Sequence, residues 1–202
     1  MPAVKLATTI TRVIREIKIL EDYYNKSSSL ELRFQYLIAE VIVLRLFAVL
    51  EDGIAEIAYK LAAGAMYLSG RAPRLSVVSR SLDMARTNLI NYHRTKGIQL
   101  RWSKAKYIKE SVENVLSSTE SFINVALINA NVINEMRVVR NYIAHRSETS
   151  RRDFKSIINQ RFGSPLKISA GSFLLSTKRI PKPIMVEYLI QTRIILHDFA
   201  KG

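Results

Sequence analysis

A histidine and an arginine five residues apart are the side chains of this sequence best suited to chemistry. Residues 137–146 read Arg-Val-Val-Arg-Asn-Tyr-Ile-Ala-His-Arg, and Arg140, Asn141 and His145 are the candidates. Histidine titrates near neutral pH, so it can take a proton from a ribose 2′-hydroxyl or give one to a leaving 5′-oxygen. Arginine offers a fixed charge in a planar fork, which suits a phosphate that is gaining negative charge. These are the ingredients of RNA cleavage without a metal ion.

The spacing of the three residues limits how they could act. Asn141 lies four residues before His145, so the two share a helix face, and the amide could orient the imidazole or the substrate. Arg140 lies about 140° round an ideal helix from His145. The two converge only if the arginine reaches round, the helix end unwinds, or a second copy of the chain completes the site. The simpler alternative is that both residues cap the end of a helix, as basic residues often do.

Other familiar reactive sites are missing from the sequence. The chain has no Cys, which excludes disulfides, zinc ribbons and thiol nucleophiles. Its glycines are scattered singly, so no loop is built to cradle phosphates, and its three histidines lie too far apart for an all-histidine metal site. No cofactor is expected. We expect His93 to be exposed at a helix end, and His197 to complement the dipole in the last turn of the C-terminal helix.

Positive charge is concentrated in two segments of the chain. The formal net charge is +14 and the pI is about 10.1. Residues 1–70 contain eight basic and eight acidic residues, whereas 71–110 contain ten and two, and 137–167 contain eight and two. Such a distribution predicts a polyanion as partner, with RNA as the candidate. The alternative is a basic surface that only keeps the protein in solution.

Two groups of residues are predicted to bind RNA. The first group surrounds the motif and consists of Arg137, Arg146, Arg151 and Arg152. The second lies in residues 99–107, where Arg101 and Lys104 alternate with aromatic residues that include Trp102. Cations that alternate with aromatic rings can bind a backbone and stack bases. Alternatively, Trp102 anchors this segment to the core while the cations stay in solvent.

Helical periodicity dominates the chain and predicts one all-α domain over residues 1–202. A long helix is expected from Leu30 to about Ser69, with Gly53 as the expected place of a bend. The other expected helices cover residues 5–24, 75–92, 103–117, 120–130, 131–146, 151–162 and 184–200. Gly163 and Pro165 should end the helix over 151–162. Residues 166–177 alternate around a glycine, which predicts a small extended or hairpin insertion.

The chain is expected to be a cytoplasmic protein without a membrane partner. No stretch reaches the roughly 18 uncharged apolar residues that a spanning helix needs. The N-terminal residues lack the apolar core and cleavage site of a secretory signal.

The motif Arg140-Asn141-x-x-Ala144-His145 resembles that of the HEPN superfamily, and the long helix through residues 42–52 is similar to an early helix of its large RiboL-PSP-type groups. The resemblance implies a HEPN-like bundle with long antiparallel helices and a homodimer with facing motifs that form a composite active site. It also implies metal-independent endoribonuclease activity of a toxin–antitoxin or antiphage system, with a cognate antitoxin as partner. Arg140 would stabilise the phosphorane, His145 would act as acid or base, and Asn141 would assist.

Two positions depart from patterns found in parts of that superfamily. Ser147 stands where some toxins carry a tyrosine that a partner nucleotidyltransferase modifies, which argues against such a pairing. Asn134 stands where some of the ribonucleases carry an acidic residue. Two alternatives to the nuclease stay open: a non-catalytic module that binds nucleic acid or a nucleotide or serves in assembly, and a protein that lies on membrane surfaces through its basic faces.

Overall fold

Helices supply the regular secondary structure of the computed structural model, which describes residues 4–95, 97, 99–178 and 181–202. In chain order they are α1 (Leu6–Ser27), α2 (Leu32–Ala62), α3 (Leu82–Thr95), α4 (Ala105–Val112), α5 (Ser121–Ile128), α6 (Ala130–His145), α7 (Glu148–Phe162), α8 (Ala170–Leu175) and α9 (Ile184–Lys201). Within the described residues, β pairing is limited to one isolated bridge between Leu75 and Leu116. The predicted all-α class is confirmed.

The chain divides into two compact units. Unit 1 contains the described residues up to Ile14, together with Leu50–Ile133 and Ile194–Gly202. Unit 2 contains Arg15–Val49 and Asn134–Arg193.

Unit 1 is held together by an apolar core and by two buried charged residues. The rings of Phe122 and Phe199 pack with centroids 4.7 Å apart. Lys60 is buried and donates hydrogen bonds to the hydroxyls of Thr8 and Thr9, so it ties α2 to α1. Glu120 is buried at the start of α5, where it accepts hydrogen bonds from side chains and backbone of the segment after α2. Each buried charge therefore has partners that offset its loss of hydration.

Unit 2 packs α6, α7, α8 and α9 around aromatic side chains. The ring of Phe154 in α7 stacks on Tyr142 of α6 with centroids 4.3 Å apart and meets Phe173 of α8 edge-on at 5.3 Å. The N-terminus of α7 is capped by Ser147, and the helix ends at Gly163, which has a φ of 65°. The predicted end of this helix at Gly163 is confirmed, because glycine adopts the left-handed conformation without steric cost.

The expected hairpin at residues 166–177 is wrong, because the short helix α8 lies there. The Ser169 side chain accepts a hydrogen bond from the Ser172 backbone at 3.1 Å and so caps the helix. Gly171, which suggested a turn, serves close packing instead: a Cβ atom there would lie 2.4 Å from the Cβ of Tyr36. Phe173 and Leu174, two adjacent residues of α8, are both buried.

The end of α2 and the start of α3 also differ from expectation. α2 ends at Ala62 and not near Ser69, and α3 begins at Leu82 and not near residue 75. The Ser81 hydroxyl accepts a hydrogen bond from the Met84 backbone, which fixes the start of α3. α2 continues through Gly53, where a Cβ atom would lie 2.6 Å from a methyl group of Leu196. The glycine thus admits α9 at close range. Across the described residues, none of the helices has the length and apolar content required to span a bilayer.

Candidate active site at the end of helix α6

The motif lies on the last turns of α6 in unit 2. Met136 and Val139 are buried and fix which face of this helix meets the core. Arg140 and Asn141 are half-buried at the edge of that face, and His145 is exposed as the last residue of the helix. Apolar packing therefore leaves the three motif side chains at or near the surface.

Arg140 is held by contacts within its own chain. Its Nη1 donates a hydrogen bond to Asn141 Oδ1 at 3.0 Å. Its guanidinium lies 5.9 Å from the ring centroid of Phe47, a buried residue of α2. A cation at that distance from an aromatic ring gains electrostatic attraction, so the arginine is already positioned before a phosphate binds. The structure thus brings Arg140 and Asn141 together.

Arg140 and His145 do not meet within the described chain. α6 is helical up to His145, so its end does not unwind, and the arginine is directed to Asn141. Two of the three ways in which the two residues could converge, an arginine that reaches round and an unwound helix end, are therefore not seen within the described residues.

Arg146 ends α6 in an unusual conformation. It is the one non-glycine residue with a positive φ, 47°, in the part of the chain that the structure describes. Its backbone N–H donates to the Tyr142 carbonyl at 3.1 Å, and its guanidinium lies 3.6 Å from a Glu40 carboxylate oxygen on α2. Glu40 also accepts a hydrogen bond from the Gly171 backbone. The residue after the histidine is thus fixed between α2 and α8, which the motif alone did not reveal.

The other cations predicted near the motif have different surroundings. Arg151 and Arg152 are exposed in the first turns of α7, and Arg151 donates to the Arg146 carbonyl at 3.0 Å. Arg137 is half-buried and donates to Asn134 Oδ1 at 3.0 Å. Arg146, Arg151 and Arg152 are exposed and place positive charge close to His145, although Arg146 also pairs with Glu40, whereas Arg137 is half-buried.

A half-buried ionic network holds α6 in place and was not foreseen from the sequence. Arg161 of α7 donates to Glu135 of α6 at 2.8 Å and to Glu187 of α9 at 3.0 Å. The Tyr188 hydroxyl donates to Glu135 at 2.7 Å. Burial raises the pKa of Tyr188, and the neighbouring Glu135 raises it further. The acidic residue next to Asn134 is therefore structural, since it joins three helices.

The second predicted RNA-binding group lies in unit 1. The guanidinium of Arg101 lies 3.6 Å from the ring centroid of Tyr107, and the Lys104 ammonium lies 5.5 Å from it. Trp102 is half-buried and meets Tyr59 edge-on at 5.8 Å. Trp102 also borders two cavities of about 510 and 570 Å³. Its contact with Tyr59 fits the anchoring role, and the two cavities leave room beside the ring for a base.

The other two histidines are not in this site. His93 is 3% exposed, and its Nε2 lies 3.1 Å from the Ser111 carbonyl, so the expectation that it is exposed was wrong. Because a carbonyl only accepts hydrogen bonds, Nε2 carries the proton in this arrangement. His197 is exposed and lies near the end of α9, just before the last turn in which it was expected. Within the described part of the chain, no three His, Asp or Glu side chains form a group that could hold a metal ion.

No family model matches the chain, and no curated protein or solved structure matches it.

Proposed function

We propose that this protein is a metal-independent endoribonuclease with Arg140, Asn141 and His145 as its catalytic residues. The observation that carries the proposal is the position of these side chains at the accessible end of α6, where Arg146, Arg151 and Arg152 add exposed positive charge. A phosphodiester that lies along this end meets an imidazole and several guanidinium groups. The HEPN resemblance of the motif supports the same assignment.

The reaction requires one bond to form and one to break at phosphorus. The ribose 2′-oxygen attacks the adjacent phosphorus, passes its proton to a base, and the 5′-oxygen leaves with a proton from an acid. The products are a 2′,3′-cyclic phosphate and a 5′-hydroxyl. His145 serves in proton transfer, and Arg140 stabilises the charge of the pentacoordinate phosphorane. Asn141 holds the arginine by its 3.0 Å hydrogen bond.

The site is proposed to be composite, with Arg140 of one copy and His145 of another acting on one phosphate. Arg140 and His145 have no contact within the described chain, and α6 stays helical through the motif. A symmetric dimer solves this problem, because each copy then completes the other. The proposed role is that of a toxin or an antiphage effector on cytoplasmic RNA, with a cognate antitoxin as its inhibitor.

A second candidate function is a module that binds RNA without cleaving it. It is favoured by one observation: Arg140 is already paired with Asn141 and lies over Phe47, as a purely structural arginine would. Such a module would bind RNA with a steep salt dependence and leave it intact.

The decisive experiment measures cleavage of a labelled RNA by the purified protein with a metal chelator present. The variants are His145→Ala and Arg140→Ala, and His197→Ala serves as the matched control because it is an exposed histidine outside the motif. We expect each motif variant to lose at least about 100-fold in rate, a typical value for a lost proton-transfer group or charge donor. The control should retain the wild-type rate, and the products should end in 2′,3′-cyclic phosphate.

Mixing the two inactive variants tests the composite site. A pair formed by one copy of each variant has one intact site, so activity should return to about a quarter of the wild-type value under random pairing. Cleavage by both single variants at the wild-type rate would overturn the nuclease proposal. RNA that is bound but never shortened by the wild type would favour the binding module.

A further inference from the structure

Helix α2 is apolar on two opposite sides in its first half. One side is buried in unit 2 and includes Ile42 and Leu46. The opposite side exposes Phe34, Leu37 and Val41, which we call the outer face of α2. A helix that is apolar on two sides is normally covered on both of them. Within the described residues of a single chain, the outer face of α2 is exposed.

The outer face borders a groove between α1 and α2. The groove has a volume of about 710 Å³, and its lining includes Leu20 and Tyr23 of α1 and Leu30 before α2. Leu37 and Val41 at its edge are 57% and 56% exposed. With Tyr23, Leu30 and Phe34, they leave on the order of 400 Å² of apolar side chain in solvent, which is as large as the patches that monomers keep for a function.

The spacing of the outer face fits a second copy of the same helix. Phe34, Leu37, Val41 and Leu44 follow one another at intervals of three, four and three residues. This is the spacing by which two helices interlock along a shared seam. The series of intervals reads the same in both directions, so an antiparallel copy presents a matching set of side chains.

The charges beside the outer face also suit a second copy. By helical geometry Arg33 and Glu40 lie on one flank, and Glu31 and Arg45 lie near the other. Each flank thus carries one acidic and one basic residue, so neither flank adds a net charge to the contact, and Glu40 is already paired with Arg146. Residues 1–70 have no net charge in a chain whose net charge is +14, so two copies meet here with the least repulsion.

We infer that the outer face of α2 is the contact between two copies of this chain, related by a two-fold axis that passes between Leu37 and Val41. The ion pair of Arg33 with Glu31 is exposed and that of Arg45 with Glu16 is partly exposed, and such pairs cost little to exchange across an interface. The apolar side chains of the outer face become the centre of the contact and the charged residues its rim.

This contact places the second copy beside the motif. Glu40 lies between Leu37 and Val41 along α2, and its carboxylate is 3.6 Å from Arg146, the residue after His145. A copy packed on the outer face therefore lies next to the end of α6. The link to catalysis rests on the proposed function, whereas the contact between copies does not.

The test compares Leu37→Lys with Ile128→Lys by sedimentation velocity. Both side chains are exposed in the single chain, so neither change removes core packing, and both add the same charge. The wild type and Ile128→Lys should form dimers, and Leu37→Lys should weaken the dimer at least about 100-fold, as expected for a charge at the centre of an interface. Equal circular dichroism and melting temperature will show that all three are folded.

The absence of cysteine allows a second measurement. Leu37→Cys should give a covalent dimer with a short bismaleimide cross-linker, and Ile128→Cys should not. A wild type that is still monomeric at a concentration on the order of 100 µM would overturn the inference. The outer face of α2 would then be assigned to contact with a different protein. A Leu37→Lys variant that dimerises as well as the wild type would overturn it too.

The two proposals fail in different ways. A dimer that loses its contact in Leu37→Lys but does not cleave RNA refutes the nuclease and upholds the contact. A monomeric Leu37→Lys variant that cleaves RNA at the wild-type rate refutes the composite site and again upholds the contact. Cleavage by a wild type that is always monomeric upholds the nuclease and refutes the contact.

Discussion

Arg146 holds a conformation that its residue type does not favour. A φ of 47° places its Cβ near the following carbonyl oxygen, which costs a non-glycine residue about 1 kcal/mol. The strain is tolerated because the backbone N–H bonds to Tyr142 and the guanidinium pairs with Glu40. An arginine at this position keeps a cation next to His145 at some expense in stability.

Two variants at this position measure the strain. Arg146→Gly relieves it, whereas Arg146→Val increases it, because a β-branched side chain is least compatible with a positive φ. Both variants lack the pair with Glu40, so its loss cancels in the comparison. We expect the free energy of unfolding, measured in urea, to be about 1–2 kcal/mol higher for the glycine variant. Equal values would mean that this residue is not strained.

For single residues, the sequence predicted the place of a residue along its helix better than its exposure and its contacts. His197 lies near the end of the C-terminal helix, close to the turn in which it was expected. His93 was expected in solvent but is buried. Its exposure depends on contact with α4, where its Nε2 lies 3.1 Å from the Ser111 carbonyl, and the local sequence does not show this contact. The pairing of Arg140 with Asn141 could not be predicted either, since side-chain rotamers follow from packing on Phe47. The catalytic and RNA-binding roles stay predictions.

At the element scale, a polar contact joins α1 and α2 within unit 1. Glu56 accepts hydrogen bonds from Thr9 at 2.6 Å and Arg12 at 2.7 Å, and Lys60 lies 2.8 Å from it. Partial burial by itself raises the pKa of Glu56. Hydrogen bonds from Lys60, Thr9 and Arg12 outweigh this effect and lower the pKa to about 2.

This contact predicts a pH dependence of stability. A carboxylate whose pKa is lower in the folded than in the unfolded chain stabilises the fold above its ordinary pKa of 4.5, and that stabilisation is lost as the pH falls toward 2. The difference in unfolding free energy between the wild type and Glu56→Gln should therefore shrink by about 1–2 kcal/mol between pH 5 and pH 2. Glu113→Gln, at an exposed position, is the control and should show no such change. A constant difference for Glu56→Gln would contradict the prediction.

The helical periodicity of the sequence predicted the all-α class, but it did not predict two local features. The alternation at 166–177 predicted a hairpin, although Ser169 caps a helix there and Gly171 lets it approach Tyr36. Gly53 was expected at a bend of α2, and the sequence did not show that this glycine makes room for Leu196. In both cases the glycine makes room for a residue that is far away in the sequence. A local sequence pattern predicts whether a segment is a helix or a strand. It does not predict where two elements approach each other closely.

At the scale of the molecule, charge separates two parts of the chain. The excess of basic residues begins after residue 70, and the preceding part is neutral. A neutral part is suited to contact with an identical copy, whereas the basic part is suited to a polyanion. The charge map was fully accessible from the sequence. The exposure of the outer face of α2 could not be predicted from the sequence, because its apolar spacing is the same as that of a buried helix side.

The charge map predicts which cations give RNA binding its salt dependence. In a His145→Ala background that prevents cleavage, the double change Arg151→Ala and Arg152→Ala should reduce the slope of log K against log salt by about 1.4, or about 0.7 for each lost phosphate contact. Arg15→Ala with Lys18→Ala removes two exposed cations from the neutral part and should leave the slope unchanged. Fluorescence anisotropy at several salt concentrations gives both slopes. An equal fall in the two double variants would assign binding to net charge alone.

The uncovered side of α2 has a consequence for dosage. If each reactive centre draws its arginine and its imidazole from different molecules, a solitary newly synthesised chain is inert. At protein concentrations below the dissociation constant of the dimer, the rate of RNA breakdown then rises with the square of the protein concentration. Low concentrations of the protein therefore cleave very little RNA, and high concentrations cleave much more. Dilution becomes a safeguard, and any ligand that masks this strip of leucine, phenylalanine and valine would silence the protein without touching its reactive groups.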